Sequence, residues 1–156
     1  ATITCTAKNK KTYRCRVTVP GGSSSKGKLT ENRVYRKIIA KKDTYKEGRR
    51  WTNKNSYYWK GGIYDLGYGC AGFAFLLSDA AFGDLPARKH KNFSNIKVGD
   101  IIRLAYDSHS VIVLKKEADG VIVAEGNYDD SIHWGRKIPY SEIRATGTYV
   151  LTRYPK

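Results

Sequence analysis

Beyond Gly83 the sequence breaks into five short runs rich in β-branched residues, IKVGDIIRLA, HSVIVLKK, GVIVAEGNY, IHWGRKI and TYVLTRY, separated by turn material such as Asp119-Gly120. Runs of that length and composition predict strands. The chain before Gly83 has a different period. LTENRVYRKIIAKK sets Val34, Ile38 and Ile39 at helical spacing behind Thr30, a good N-cap residue. GCAGFAFLLSDAAF puts Phe73, Leu76, Leu77 and Ala80 on one helical face, which Gly83 ends. Helices first and strands afterwards predict an α+β domain over 29–156, with its N-terminal helices packed on an antiparallel sheet. Between the two helices, EGRRWTNKNSYYWKGGIYDLGYG mixes aromatic residues with Gly and Asn and keeps no period, which predicts a loop.

Residues 1–19 alternate with period two: Ile3, Cys5 and Ala7, then Tyr13, Cys15, Val17 and Val19, share a face across a KNKK turn. This predicts a β-hairpin. A register setting Cys5 opposite Cys15 would allow a cross-strand disulfide, although two separate thiols are the commoner outcome. Because a lone hairpin is marginal in water, this one is expected to be the remnant of a larger unit, in a chain cut from something longer, or to lean on its neighbour. PGGSSSKGK, residues 20–28, predicts a flexible linker.

Lys and Arg number 29 against 14 Asp and Glu, a formal charge of +15, and no acidic residue precedes Glu31. Such a surface attracts polyanions. Nucleic acid ranks last among them, because the sequence holds no zinc-finger spacing, no basic helix leading into heptads and no aromatic RNP-type strand. The anionic polymers of a bacterial cell wall remain, as does a merely solvated basic surface. The longest apolar stretch, Ala71 to Leu77, falls far short of the ~20 residues a membrane span requires.

Cys70 heads the second helix behind Gly67 and Gly69. A free thiol, with a pKa of ~8.5, is mostly protonated at neutral pH; a helix N-terminus and a neighbouring imidazole both favour the thiolate. The unpaired N–H groups of the first helical turn would also bind an oxyanion. Three histidines compete as base. His90 lies in the basic polar run ARKHKN, which predicts a solvated side chain, and His133 stands beside Trp134, which suits substrate contact. His109 opens the apolar strand HSVIVL, which makes it rigid. Glu125 and Asn127 project the same way from the following strand, and either would fix the imidazole tautomer. Glu125 is preferred, because a carboxylate also favours imidazolium and hence the thiolate.

Cys70 at a helix start, then HSVIV, then EGN is an order that resembles the CHAP family, the cysteine, histidine-dependent amidohydrolases and peptidases of the papain-like group that also holds the NlpC-type cell-wall peptidases. The likeness covers roughly residues 45 to 154. It implies a papain-like fold with Cys70 as nucleophile, His109 as general base and the Glu125/Asn127 pair in support. It also implies a secreted or surface-bound bacterial enzyme that cuts amide bonds in peptidoglycan or a peptide. Tyr57, Tyr68 and Trp134 are candidate substrate contacts, with Tyr58 and Trp59 as further cleft candidates. No cofactor is expected, and no metal, since GGIYDLGYGC offers only Asp65 where some members carry an Asp-rich calcium loop. Residues 1–19 are similar to the closing strands of a bacterial group 2 immunoglobulin-like repeat, through Thr2, Ile3, Thr4, Cys15, Val17, Thr18 and Val19. Two alternatives stay open: an inactive wall-binding module, and an acyl transferase using the same cysteine and histidine.

Overall fold

Thr30 caps the first helix as its residue type predicts. In a computed structural model, its side chain accepts a hydrogen bond from the backbone N–H of Arg33 at 3.2 Å, and α1 runs Glu31–Ile39 with Val34 and Ile38 buried. The structure describes residues 29–156 in full, and the backbones of Thr2–Thr6 and Thr12–Arg16. Those two strands, β1 and β2, pair antiparallel with Cys5 opposite Tyr13 and Cys15 opposite Ile3. The register is therefore not the one that would oppose Cys5 and Cys15. The predicted linker 20–28 and the end of the predicted hairpin lie outside the described residues.

The helix that Cys70 opens, α2 (Gly69–Phe82), departs from the single-face expectation. Phe73, Phe75, Leu77 and Ala81 are all buried, whereas Leu76 and Ala80 are only half-buried. The reason is its central position, with α1 and a small hairpin on one side and the sheet on the other; a helix enclosed this way is apolar nearly all round. That hairpin, β3 (Ser56–Tyr58) with β4 (Leu66–Tyr68), falls where a loop was predicted. Three-residue strands are too short to display a period.

The sheet contains β5 (Arg88–His90), β6 (Ile101–Leu104), β7 (His109–Lys116), β8 (Gly120–Tyr128), β9 (Ser131–Pro139) and β10 (Tyr149–Thr152). Their spatial order is β5-β10-β6-β7-β8-β9, and every neighbouring pair is antiparallel. The domain is α+β. Strand alternation divides its side chains between two cores: Ile112, Leu114 and Ala124 pack toward α1 and α2, while Val111, Val113 and Val123 face the short helix α3 (Tyr140–Ile143) through Ile143. Each fully buried side chain of this size contributes about 1.5–3 kcal/mol. Arg153, itself buried, pairs with Asp79 and donates to the carbonyls of Leu85 and Gly83, which fastens the C-terminal segment to the end of α2. Among the described residues no helix is long and apolar enough to cross a membrane.

One irregularity bears on the site. β9 pairs Trp134 with Ala124 but Arg136 with Val123, a register shift at Gly135, whose φ is 108°. Strict alternation would send Trp134 and Arg136 to the same side. The bulge instead turns Trp134 toward α2 and Arg136 toward Glu125.

Candidate active site

Three elements converge at the N-terminus of α2. Gly69 adopts φ 49°, and a Cβ there would sit 2.3 Å from Asn53 Oδ1, so only glycine allows the chain to turn into the helix at this point. On the sheet side, a Cβ on Gly126 would lie 2.7 Å from Cβ of Phe73. Glycine there lets β8 approach α2 closely, and this sets the depth at which Glu125 stands relative to Cys70. No side chain caps α2. The Gly69 N–H is taken by the Asn55 carbonyl at 2.9 Å, and the N–H groups that follow it in the first turn, from Cys70 on, are left for an anion.

His109 lies between the thiol and the carboxylate. Its Nε2 meets Glu125 Oε2 at 2.7 Å, which leaves Nδ1 as the ring nitrogen for Cys70, a thiol near enough that each group shifts the pKa of the other. Cys70 is half-buried and His109 retains 17% side-chain exposure, whereas Glu125 has none. The site therefore opens to solvent at its sulfur and closes at its carboxylate. Burial pushes the Cys70 thiol up, but hydrogen bonds from His109 and from the side chain and backbone of Ser110 outweigh it and bring the pKa below the ordinary value. Burial likewise opposes the charged imidazole, yet Cys70 and Glu125 together raise His109 to about 9. At neutral pH these shifts favour a thiolate–imidazolium pair.

Two supporting residues carried no sequence expectation. Arg136 donates to both oxygens of Glu125, Nε to Oε1 at 2.5 Å and Nη2 to Oε2 at 2.6 Å. Burial raises the Glu125 pKa, and the bonds from Arg136 and His109 more than reverse this, so the carboxyl titrates below its usual range. Ser110 is the other. Arg103 Nη1 donates to Ser110 Oγ at 2.6 Å, so the Ser110 hydroxyl keeps its own proton to donate, and Ser110 is among the groups that lower the Cys70 pKa. A sequence signal existed for both: glycine inside a strand marks a bulge, and alternation after His109 turns Ser110 toward the helix.

Asn127 is not brought to the imidazole. The ladder pairs Val111 with Glu125, and two more regular steps would set Asn127 opposite His109; instead β8 leaves register, and Asn127 takes φ 58°. Its amide donates to Asn53 Oδ1 at 3.0 Å, beside Gly69. Of the candidate substrate contacts, Tyr68 stands exposed at the N-cap of α2. Tyr57 is directed elsewhere. It lies near Asp79, and burial together with that carboxylate raises its pKa. Asp79 follows Cys70 by nine residues, about 13 Å along the helix.

Trp134 packs edge-on to Phe73 at 5.9 Å and donates Nε1 to the Tyr45 carbonyl. It walls a groove of about 480 Å³ between α1 and the sheet, away from the sulfur. Trp59 is core, stacked on Phe75 at 4.2 Å, while Tyr58 is exposed. His133 is held locally, with Nδ1 on Glu47 and Nε2 on Ser131. His90 lies on the edge strand β5. Among the described residues no three His, Cys, Asp or Glu side chains are grouped to hold a metal ion. No protein-family model, curated protein or solved structure matches this chain.

Proposed function

We propose that this chain is a cysteine hydrolase of amide bonds with a papain-like arrangement, acting on bacterial peptidoglycan or a related peptide at or outside the cell surface. The observation that carries the reading is His109, hydrogen-bonded to the buried anion Glu125 and close enough to Cys70 for the imidazole and the thiol to shift each other's pKa. The Cys70 thiolate attacks the carbonyl carbon while the first-turn N–H groups of α2 hold the developing oxyanion. As the C–N bond breaks, imidazolium His109 gives its proton to the leaving amine. A water then adds to the thioester and loses a proton to the now neutral His109; the C–S bond breaks, and the free acid and the thiolate–imidazolium pair result.

The peptidoglycan assignment rests on the CHAP-like order of Cys70, His109 and Glu125, and on a net charge of +15 that suits an anionic wall. Purified sacculi incubated with the protein should release new amino groups, and Cys70→Ala should abolish that release without unfolding the chain. Equal activity of the Cys70→Ala variant would end the proposal.

A further inference from the structure

At the sheet edge opposite β9, a hollow of about 150 Å³ is walled by Arg88, His90, Asn92, Lys97, Thr152 and Tyr154. The β5–β10 ladder pairs Arg88 with Thr152, and alternation puts His90 on the same face as Arg88. Arg88, His90 and Lys97 are all half-buried, His90 included, although the polar run around it predicts a solvated side chain. Cations withdrawn from water are ordinarily paired. Here Arg88 Nη2 donates to the Tyr154 carbonyl at 2.6 Å and Lys97 Nζ stands 5.0 Å from the centre of the Tyr154 ring, but among the described residues neither forms an ion pair. No acid lines the hollow, and none precedes Glu31 in the sequence. Asp100 is buried and takes the Lys97 backbone N–H, while Glu31 is held by the Val98 N–H and Lys116. Burial and the charges of Arg88 and Lys97 lower the His90 pKa, which the Asn92 backbone only partly offsets. His90 Nδ1 accepts from the Asn92 N–H at 3.2 Å, so the neutral ring keeps its proton on Nε2 as a donor.

We propose that this hollow is a phosphate-binding site, with Arg88 and Lys97 supplying charge and His90 Nε2 a further donor, and that it takes one phosphodiester of a polyol phosphate polymer. Several donors around one small hollow suit the oxygens of a tetrahedral oxyanion. The volume is about half the ~300 Å³ at which pockets for drug-sized ligands begin, too small to enclose a nucleoside. No exposed phenylalanine, tyrosine or tryptophan lines it to stack a base, since Tyr154 is buried. A net charge of +15 draws a polyanion in, and the hollow gives it a fixed point of attachment three strands from β7. The site stands independently of the hydrolase reading, because it contains no residue of that reaction.

Inorganic phosphate, titrated into the full chain at pH 7 and low salt, should move the imidazole NMR signals of His90 saturably, with a Kd of about 1 mM. Arg88→Gln and Lys97→Gln should each weaken that binding about fivefold. Lys42→Gln removes the same charge from a surface outside the hollow and should leave the Kd unchanged. Lys97→Gln breaks no side-chain hydrogen bond, so it decides the matter if melting curves show that Arg88→Gln unfolds. A drift of His90 without saturation, an unchanged Kd in Lys97→Gln, or equal weakening by Lys42→Gln would overturn the site and leave only the net charge. Poly(glycerol phosphate) should displace inorganic phosphate at His90 more strongly than an oligothymidylate with the same number of phosphates. No displacement, a tie or a stronger oligothymidylate would overturn the polyol assignment. The titration reads binding and the activity of Cys70→Ala reads the hydrolase, so failure of one leaves the other standing.

Discussion

Arg136 grips both carboxylate oxygens of Glu125 across the β8–β9 ladder, at 2.5 and 2.6 Å, while the same carboxylate receives His109 Nε2 at 2.7 Å. A carboxyl with no exposed side-chain surface would by itself resist ionisation. The guanidinium makes it a standing anion, and that anion supports the charged imidazole. The chemistry proposed at Cys70 therefore depends on a residue that Glu125 and His109 separate from it.

Replacing Arg136 with Leu should leave Glu125 buried without its counter-charge and cost about 2–4 kcal/mol at neutral pH in urea unfolding. The Glu125 pKa is depressed in the folded protein, so its contribution is present above the unfolded value of ~4.3 and is lost as pH falls through the folded one. The stability gap between the two proteins should consequently narrow below about pH 4. Arg136→Lys should recover only part of it, since an ammonium cannot engage both oxygens in the guanidinium geometry. A gap that stayed constant down to pH 3 would contradict the pairing.

His109, raised to about 9, sets the alkaline limit of the proposed reaction. Activity should fall above that pH as the proton destined for the leaving amine is lost. The stability linked to His109 is complete below its unfolded pKa of ~6.5 and disappears as pH rises through the folded value. Glu125→Gln removes one of the two partners that raise His109, and the alkaline limb of kcat/KM should then move toward neutrality. An unmoved limb would separate His109 from Glu125 in function.

Ser110→Ala should raise the Cys70 pKa, because it deletes a hydrogen bond to the sulfur that lowers it. The rate of iodoacetamide alkylation followed against pH reads this directly. The profile should shift to higher pH, with the backbone N–H of Ser110 and the His109 ring retaining part of the depression. His109→Ala should shift it further. Superimposable profiles for Ser110→Ala and the parent would exclude the serine.

Gly69→Ala probes the entry to α2. The new Cβ would meet Asn53 Oδ1 at 2.3 Å in a left-handed backbone conformation, so we expect a loss of ~1–2 kcal/mol of stability. Because the first turn itself is displaced, turnover should suffer more than stability. Thermal melting and initial rates on the same preparation compare the two, and a variant with full turnover would show that this turn is not part of the site.

Asp100 is a separate case, buried with one oxygen accepting from the Lys97 N–H and the other without a partner. Burial is the main cause that raises its pKa to about 7, with the neighbouring Thr152 hydroxyl and the Lys97 N–H opposing. Since the folded protein holds this proton more tightly, stability should decline as pH climbs from about 4 to 7. Asp100→Asn should flatten that decline and be more stable than the parent at pH 8 by ~1 kcal/mol or more. Parallel stability curves for the two proteins would refute the assignment.

Local chemistry was enough to read much of this protein from its residues. Thr30, the i, i+3, i+4 spacing around Val34 and the β-branched runs beyond Gly83 specify helices followed by an antiparallel sheet, because caps and periodicity act over a few residues. Cys70, His109 and Glu125 were legible as candidates for the same reason: each has a recognisable place, at a helix head, at a strand start and on the next strand. Tertiary structure decided what surrounds them. Whether Glu125 or Asn127 faced the imidazole depended on where β8 leaves its register, and the partners Arg136 and Ser110 depended on a bulge at Gly135 and a cross-strand bond from Arg103. Tyr57 and Trp134 were drawn into packing against α2 rather than toward the sulfur. Side-chain direction at a bulge, and the choice between core and cleft for an aromatic ring, are set by contacts between segments far apart in the chain, and no local pattern encodes them.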